Sequence, residues 1–315
     1  MQNPCLSTIL HGGPTLSHDT DTPSFDIQAR IAQLFIYPVK SCAGVAVQDA
    51  ALTDTGLDLD RAWMVVDAQG GFVSQRELPR MALVQPQLRH YDIVLRAPGM
   101  LALHLQIDTV ESATTVRVWN DEVKAYDMGD LAAQWFSDYL APERPSSRER
   151  PYRLVRFDPD QRRLSNLTWT GGVEAPNQFS DGYPLLVTSS ASLDGLNRRL
   201  QSQGHAPVGM ERFRPNIVLA GVDEHDEDRL DRLQIVTDAG TVVLQPVKPC
   251  PRCPIPNIDP LTATSSPEVG DTLQTYRKDE RVGGAITFGM NAIVLQGHDQ
   301  SLRVGQAVQG NFRFG

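Results

Sequence analysis

Short runs of β-branched and aromatic residues, bounded by turn signals, recur along this 315-residue chain and constrain its fold more than any other feature. The run at 31–39, Ile-Ala-Gln-Leu-Phe-Ile-Tyr-Pro-Val, opens the series, and comparable runs follow at 62–67, 72–74, 83–88, 93–95, 101–107 and 115–118. Gly70-Gly71 and Pro98-Gly99 mark turns between them, since glycine reaches positive φ and proline presets a turn dihedral. A second series lies at 152–157, 185–188, 216–220, 233–236, 241–244 and 292–295. Many short strands with such punctuation fit a barrel or a sandwich. Two segments carry helical spacing instead. Leu131, Trp135 and Tyr139 repeat every four residues behind Asp130, the expected N-cap. Leu193, Leu196 and Leu200 form a stripe over 190–203, which Gly204 ends.

The segment 141–151 holds three prolines, many charges and no large apolar residue, and reads as the domain junction. Residues 1–27, polar and aperiodic around 18–23, read as an extension. At 41% hydrophobic and 21% charged residues, the chain has material for a core. Its 29 basic and 38 acidic side chains give a net charge of −9, which argues against broad nucleic-acid binding but allows a local basic pocket. No stretch approaches the roughly 20 apolar residues of a membrane helix, and the first ten residues lack the basic and apolar regions of a secretory signal. Four cysteines in a chain this long make no disulfide framework. The expectation is a cytoplasmic protein without membrane or nucleic-acid partners.

The segment 245–260 concentrates the chemistry. It contains Cys250-Pro251-Arg252-Cys253 among six prolines. A thioredoxin-like pair needs its first cysteine at a helix N-terminus, which this proline density forbids. A zinc knuckle needs four ligands, and neither a second Cys-x-x-Cys nor a His-x-x-x-His is present. The third reading is a single reactive or metal-binding thiolate in a proline-stiffened loop, favoured electrostatically by Arg252 and suited to a soft metal. The bland alternative is two buried, inert cysteines.

Three further segments bear polar groups at strand ends. Lys40-Ser41-Cys42-Ala43-Gly44 offers an ammonium, a hydroxyl and backbone N–H groups to an anion, although a solvated lysine is the commoner case. Arg214-Pro215-Asn216 joins an anion-binding guanidinium to an amide; the alternative is an Arg–carboxylate pair and a turn closed by Asn216. Asp181 lies in the polar turn Ser180-Asp181-Gly182-Tyr183-Pro184, where an aspartate is usually a turn former.

Taken in order, Tyr37-Pro38-Val39-Lys40-Ser41-Cys42, then Asp60-Arg61-Ala62-Trp63-Met64-Val65-Val66-Asp67, Ser180-Asp181-Gly182-Tyr183-Pro184-Leu185-Leu186-Val187, Arg212-Phe213-Arg214-Pro215-Asn216-Ile217-Val218 and Lys248-Pro249-Cys250-Pro251-Arg252-Cys253 resemble the MOSC proteins. Among these the chain is most similar to bacterial relatives of the mitochondrial amidoxime-reducing component, from about residue 31 to 308. The resemblance implies a fold that is mainly β with some α, built of two β-barrel-like domains with a few peripheral helices: a MOSC N-terminal β-barrel at 28–148 and a MOSC domain at 149–312, after the extension 1–27.

The resemblance also implies a bound molybdenum cofactor (Mo-molybdopterin). By matching positions, Cys253 is the metal ligand and Cys250 its nonligating partner. Lys40, Ser41 and Arg61 hold the cofactor's phosphate and pterin, Arg214 and Asn216 contact it from the second domain, and Arg252 sits beside the ligand. Asp181 matches an acidic residue near the open face of the metal and is the implied proton relay. Pro251 and Tyr183 stand where eukaryotic members carry small polar residues, so the implied pocket differs from theirs in hydrogen bonding and shape. The activity implied is reduction of N-hydroxylated and N-oxide compounds, with oxygen transfer to molybdenum. No Cys-x4-Cys-x2-Cys pattern is present, so the expected electron donor is a separate ferredoxin-like protein or flavoprotein. The rival reading is a cofactor carrier or a sulfur-transfer protein with a persulfide on Cys253.

Overall fold

The computed structural model describes residues 25–141 and 151–313. The expected extension before residue 25 and most of the expected junction lie outside the described residues. In chain order the elements used below are β1 Ile27–Ile36, β2 Trp63–Asp67, β3 Ser112–Val118, β4 Asp121–Asp127, α1 Gly129–Leu140, β5 Tyr152–Phe157, β6 Leu185–Ser189, α2 Ser190–Ser202, β7 Ile217–Ala220, β8 Leu230–Thr237, β9 Gly240–Pro251, α3 Glu268–Gln274, β10 Ala285–Gln296 and β11 Ala307–Phe312. The protein is mainly β, and no helix among the described residues is long and apolar enough to cross a membrane.

Seven strands close on themselves in the order β6-β7-β1-β11-β8-β9-β10 and back to β6. All neighbours are antiparallel except β6 and β7, whose parallel pairing requires the crossover that α2 supplies. Ile31, Leu34, Val187, Ile217, Leu233 and Leu244 fill the barrel. Where β10 pairs with β6, Gly289 has φ +77° and a Cβ there would stand 2.7 Å from the Val187 carbonyl oxygen, so only glycine fits.

A four-stranded sheet in the order β2-β5-β4-β3 and two three-stranded sheets make up the rest. Their core gathers around α1 and includes Trp63, Val65, Trp135, Phe136, Tyr139 and Leu154. Pairing crosses the junction read at 148/149 in both directions. β1 completes a barrel whose other strands all lie beyond residue 184, while β5 joins β2 through Leu154↔Val65 and β4 through Arg156↔Tyr126. The two halves are therefore interlocked by backbone hydrogen bonds.

Local details depart from expectation for physical reasons. Asp130 does not cap α1; the helix starts two residues earlier than expected, at Gly129, and the Asp127 carboxylate accepts from the Gly129 N–H at 2.7 Å. Leu131 is 73% exposed, because the buried stripe runs through Ala132, Trp135, Phe136, Tyr139 and Leu140. β9 extends well past residue 244 despite Pro246, Pro249 and Pro251. Its pairing with β10 shifts register at Pro246/Lys248 and Pro249/Pro251, and a bulge needs no N–H from the proline. The segment α3, not anticipated, buries Val269 and Leu273 against the α2 side.

At the start of α2, Ser189 caps the helix and the fully buried Glu227 carboxylate accepts from the Ser189 N–H and the Ser192 hydroxyl. Desolvation raises the Glu227 pKa to about 7 from an ordinary 4.5. The folded protein therefore holds this proton where the unfolded chain has lost it. The associated stability is present below about pH 4.5 and falls away through about pH 7, by about 3 kcal/mol. In Glu227→Gln, urea unfolding should show that much less decline over this window; an unchanged pH profile would contradict the assignment.

Candidate functional site

The strand ends of both halves meet at one cleft of about 110 Å³. Lys40 and Ser41 come from the turn after β1, fixed by the Lys40 N–H to the Trp63 carbonyl at 2.8 Å. Arg61 precedes β2, its N–H bonded to the Tyr37 carbonyl at 2.8 Å. Asp181 lies in the loop before β6, Arg214 and Asn216 lead into β7, and Arg252 and Cys253 follow β9. All eight residues implicated by the sequence thus line the same cleft. Past Asp181, Tyr183 and Cys253 it widens into an outer basin of about 730 Å³.

The backbone here is held against its preference. Ser41, Arg61 and Arg214 have φ of 65°, 51° and 58°, a left-handed conformation that strains each non-glycine residue by about 1–3 kcal/mol. Glycine would relieve that strain but remove the side chains that face the cleft.

Those side chains form an unbalanced cluster. The fully buried Tyr37 ring has the Arg61 guanidinium carbon 4.4 Å and the Arg214 carbon 4.3 Å from its centroid. Arg61 donates to the Asp60 carboxylate at 2.5 Å, the Asn216 amide oxygen at 3.2 Å and the Arg214 carbonyl at 3.0 Å. Arg214 donates to the Cys42 carbonyl at 2.6 Å, while its Nη2 is buried without a partner. Burial, and then the neighbouring Arg61, bring the Arg214 pKa down to about 10. Asp60, itself buried and also accepting from the Tyr37 N–H at 2.8 Å, is the one carboxylate ion-paired to this couple among the described residues.

Lys40 is likewise buried; its ammonium donates to the Phe179 carbonyl at 2.8 Å and to Asp181 at 2.5 Å. Burial lowers its pKa and Asp181 partly offsets this. Unpaired donors on a buried cationic surface fit an anionic group, for which two guanidiniums and an ammonium are suited recognition elements.

The other candidates serve different purposes. The Asn216 amide is used internally, accepting from the Leu186 N–H and donating to the Phe35 carbonyl, so it positions Arg61 at the β1–β7–β6 junction. Arg252 ties the Phe213 carbonyl at 2.8 Å to Cys250 Sγ at 3.1 Å. The thiol to which it donates is therefore Cys250, while Cys253 lines the cleft next to it. Cys250 stands at the end of β9 rather than on a helix, against a thioredoxin-like pair. Cys253 is a free, partly exposed thiol lining both the cleft and the basin. No group of three or more His, Cys, Asp or Glu among the described residues could hold a metal. A metal at this thiol must therefore bring most of its ligands with it, as an anionic organic scaffold does. The donor set fits such a group.

Several residues escaped the sequence reading. Tyr37 lies in a run with strand character, although it carries both guanidiniums, and the Asp60-Arg61 doublet is the local hint of a counter-ion. Arg76 and Trp119, stacked 4.8 Å apart at the basin wall, carry no motif. Removing the counter-ion tests the cluster. Asp60→Asn should lower stability by about 3–5 kcal/mol in urea unfolding, and adding Arg214→Met should recover part of that loss. Additive losses in the double variant would show that the three groups are not coupled.

Comparison with known proteins agrees with this geometry. The sequence matches the MOSC N-terminal beta barrel domain over residues 28–143 and the MOSC domain over residues 174–309. It is 35% identical over 258 residues to mitochondrial amidoxime reducing component 2 of Rattus norvegicus, covering 78% of this chain and 72% of the relative. Against mitochondrial amidoxime-reducing component 1 of Homo sapiens it is 36% identical over 257 residues, covering 79% and 72%. Molybdenum cofactor sulfurase of Homo sapiens is 28% identical over 280 residues, 82% of this chain but 29% of that protein. With both domains matched in order and the amidoxime-reducing relatives aligned over most of their length, the chain belongs to the MOSC-domain family that includes the mitochondrial amidoxime-reducing components.

Proposed function

We propose that this protein is a molybdenum-cofactor oxidoreductase that reduces N-hydroxylated and N-oxide compounds, working in the cytoplasm with electrons from a separate ferredoxin-like protein or flavoprotein. The observation that carries the reading is the meeting, in one cleft, of the under-neutralised Arg61–Tyr37–Arg214 stack, Lys40 and the free thiol of Cys253. The named activities of the amidoxime-reducing relatives support it. When bound, the cofactor would supply a two-electron metal centre for cleaving an N–O bond.

The chain's own residues have separate tasks. Lys40, Arg61 and Arg214 bind the anionic groups of the cofactor, and the Ser41 hydroxyl adds a donor beside them. Cys253 ligates the metal, since a thiolate is a soft ligand. Arg252 and Asn216 hold the two loops in register. Asp181 reaches the mouth of the cleft with its side chain 70% exposed. Desolvation opposes ionisation, but the Lys40 ammonium together with Arg61 and Arg76 outweighs it and holds the carboxyl below the usual carboxylate range. Asp181 therefore stands ionised at neutral pH: it orients Lys40 first and takes protons at the mouth only as an acceptor. The free thiols Cys42, Cys250 and Cys253 suit a reducing compartment.

The purified protein should contain molybdenum and a pterin, and should reduce benzamidoxime when supplied with a chemically reduced viologen dye. In Cys253→Ser, metal content or rate should drop by about a hundredfold. A molybdenum-replete Cys253→Ser protein turning over at the normal rate would refute the ligand assignment. The similarity to molybdenum cofactor sulfurase gives the alternative a concrete signature: a one-sulfur adduct on Cys253 by mass spectrometry, without molybdenum, would favour sulfur transfer.

A further inference from the structure

The outer basin carries charges that cofactor binding does not use. Its two carboxylates are already committed: Asp181 to Lys40 at 2.5 Å, and Asp121 to Arg163 at 2.7 Å. Arg163 is spent internally as well, on the Asn177 amide oxygen and the Gln178 and Ser180 carbonyls, which shape the loop that presents Asp181. Arg252 is tied to Phe213 and Cys250, and Arg76 to the Ser74 hydroxyl with Glu77 nearby.

Lys248 is different. It projects from β9 into the same basin as Cys253, only half-exposed, with its ammonium 5.3 Å from the Trp169 ring centroid and 5.8 Å from that of Tyr183. Its ammonium has no acceptor or carboxylate partner among the described residues. A ring face attracts a cation but leaves its N–H donors unused, so a partly desolvated ammonium in this setting lacks an anion. Lys248 does not line the inner cleft, where Lys40, Arg61 and Arg214 already provide for the cofactor. The basin wall also presents Trp119, 47% exposed, and Tyr183, flat surfaces suited to a flat ligand.

We propose that Lys248 is an anion-recognition point for the substrate, and that the compound reduced beside Cys253 carries an acidic group, carboxylate or phosphate, on a planar frame. This rests on the reductase reading for the identity of the ligand, but the anion subsite itself stands on Lys248 and its surroundings. The ammonium binds the acidic group, the aromatic wall covers the planar frame, and the N–O end is left toward the thiol side of the basin. Lys248 is then a determinant of specificity rather than of chemistry.

The test titrates benzamidoxime, 4-carboxybenzamidoxime and 4-phosphonobenzamidoxime into the purified protein with its cofactor as isolated. Binding is read by tryptophan fluorescence, for which Trp169 beside Lys248 is a built-in reporter. At least one acidic ligand should bind about tenfold more tightly than the neutral one, the size of a charge-assisted hydrogen bond, and the tighter of the two names the group. Lys248→Met should bring all three ligands to similar affinity, while Lys248→Arg should keep the preference, and added salt should weaken it. Equal binding of the three by the wild type, no binding of any, or a preference that survives Lys248→Met would overturn the proposal. Turnover of all three compounds without preference would end the role of Lys248 and leave the reductase reading standing. A preference in binding with no turnover would do the reverse.

Discussion

Two guanidiniums held against one buried phenol ring, with a single buried carboxylate paired to Arg61, are the arrangement on which this structure turns. Tyr37 follows β1, Arg61 precedes β2 and Arg214 precedes β7. The stack therefore pins three distant segments together, and the positive φ of Arg61 and Arg214 shows how firmly the surroundings dictate their placement. A folded chain does not ordinarily keep two adjacent, largely desolvated like charges with one counter-ion unless something else completes the balance. The incompleteness of this cluster is what turns a crossing of strand ends into a binding site.

The barrel explains why the cluster sits where it does. Because β1 is contributed by the first half of the chain and closes a barrel otherwise built from the second, its end delivers Tyr37, Lys40 and Ser41 directly to the ends of β6, β7 and β9. The reverse exchange, β5 in the sheet of β2, fixes Arg61 from the other side. The rigidity needed for an anion site thus comes from sheet hydrogen bonds rather than from the loops. Proline in β9 belongs to the same scheme. Bulges at Pro246/Lys248 and Pro249/Pro251 carry the strand through Cys250 to Pro251, so Cys253 follows directly on a stiff strand end.

The legible part of this architecture was that written locally. The run at 152–157 is β5 to the residue, and the leucine stripe at 193–200 lies on α2, because each pattern satisfies its own backbone geometry. Asp130 misplaces the cap by two residues and Leu131 the buried stripe by one, since a helix phase is set by what it packs on, here Ala132 and Phe136 facing Trp63 and its neighbours. At the site, the order of five short motifs carried the residue types, and those residues do line one cleft. Their contacts were not readable. That Arg252 is held by the Phe213 carbonyl, that Asn216 is satisfied within the junction, and that Lys248 faces the Trp169 and Tyr183 rings all depend on segments brought together from thirty or more positions away.

The most direct test of the charge imbalance is the melting temperature of protein made in a host that cannot synthesise the molybdenum cofactor, measured as inorganic phosphate is added. A ligand that binds only the folded state raises stability with its concentration. The melting temperature of the wild type should climb steadily with phosphate, and that of Arg214→Gln should stay nearly flat. No rise in the wild type, or the same rise in both proteins, would contradict the claim that the Arg61–Tyr37–Arg214 stack is built to be completed by an anion.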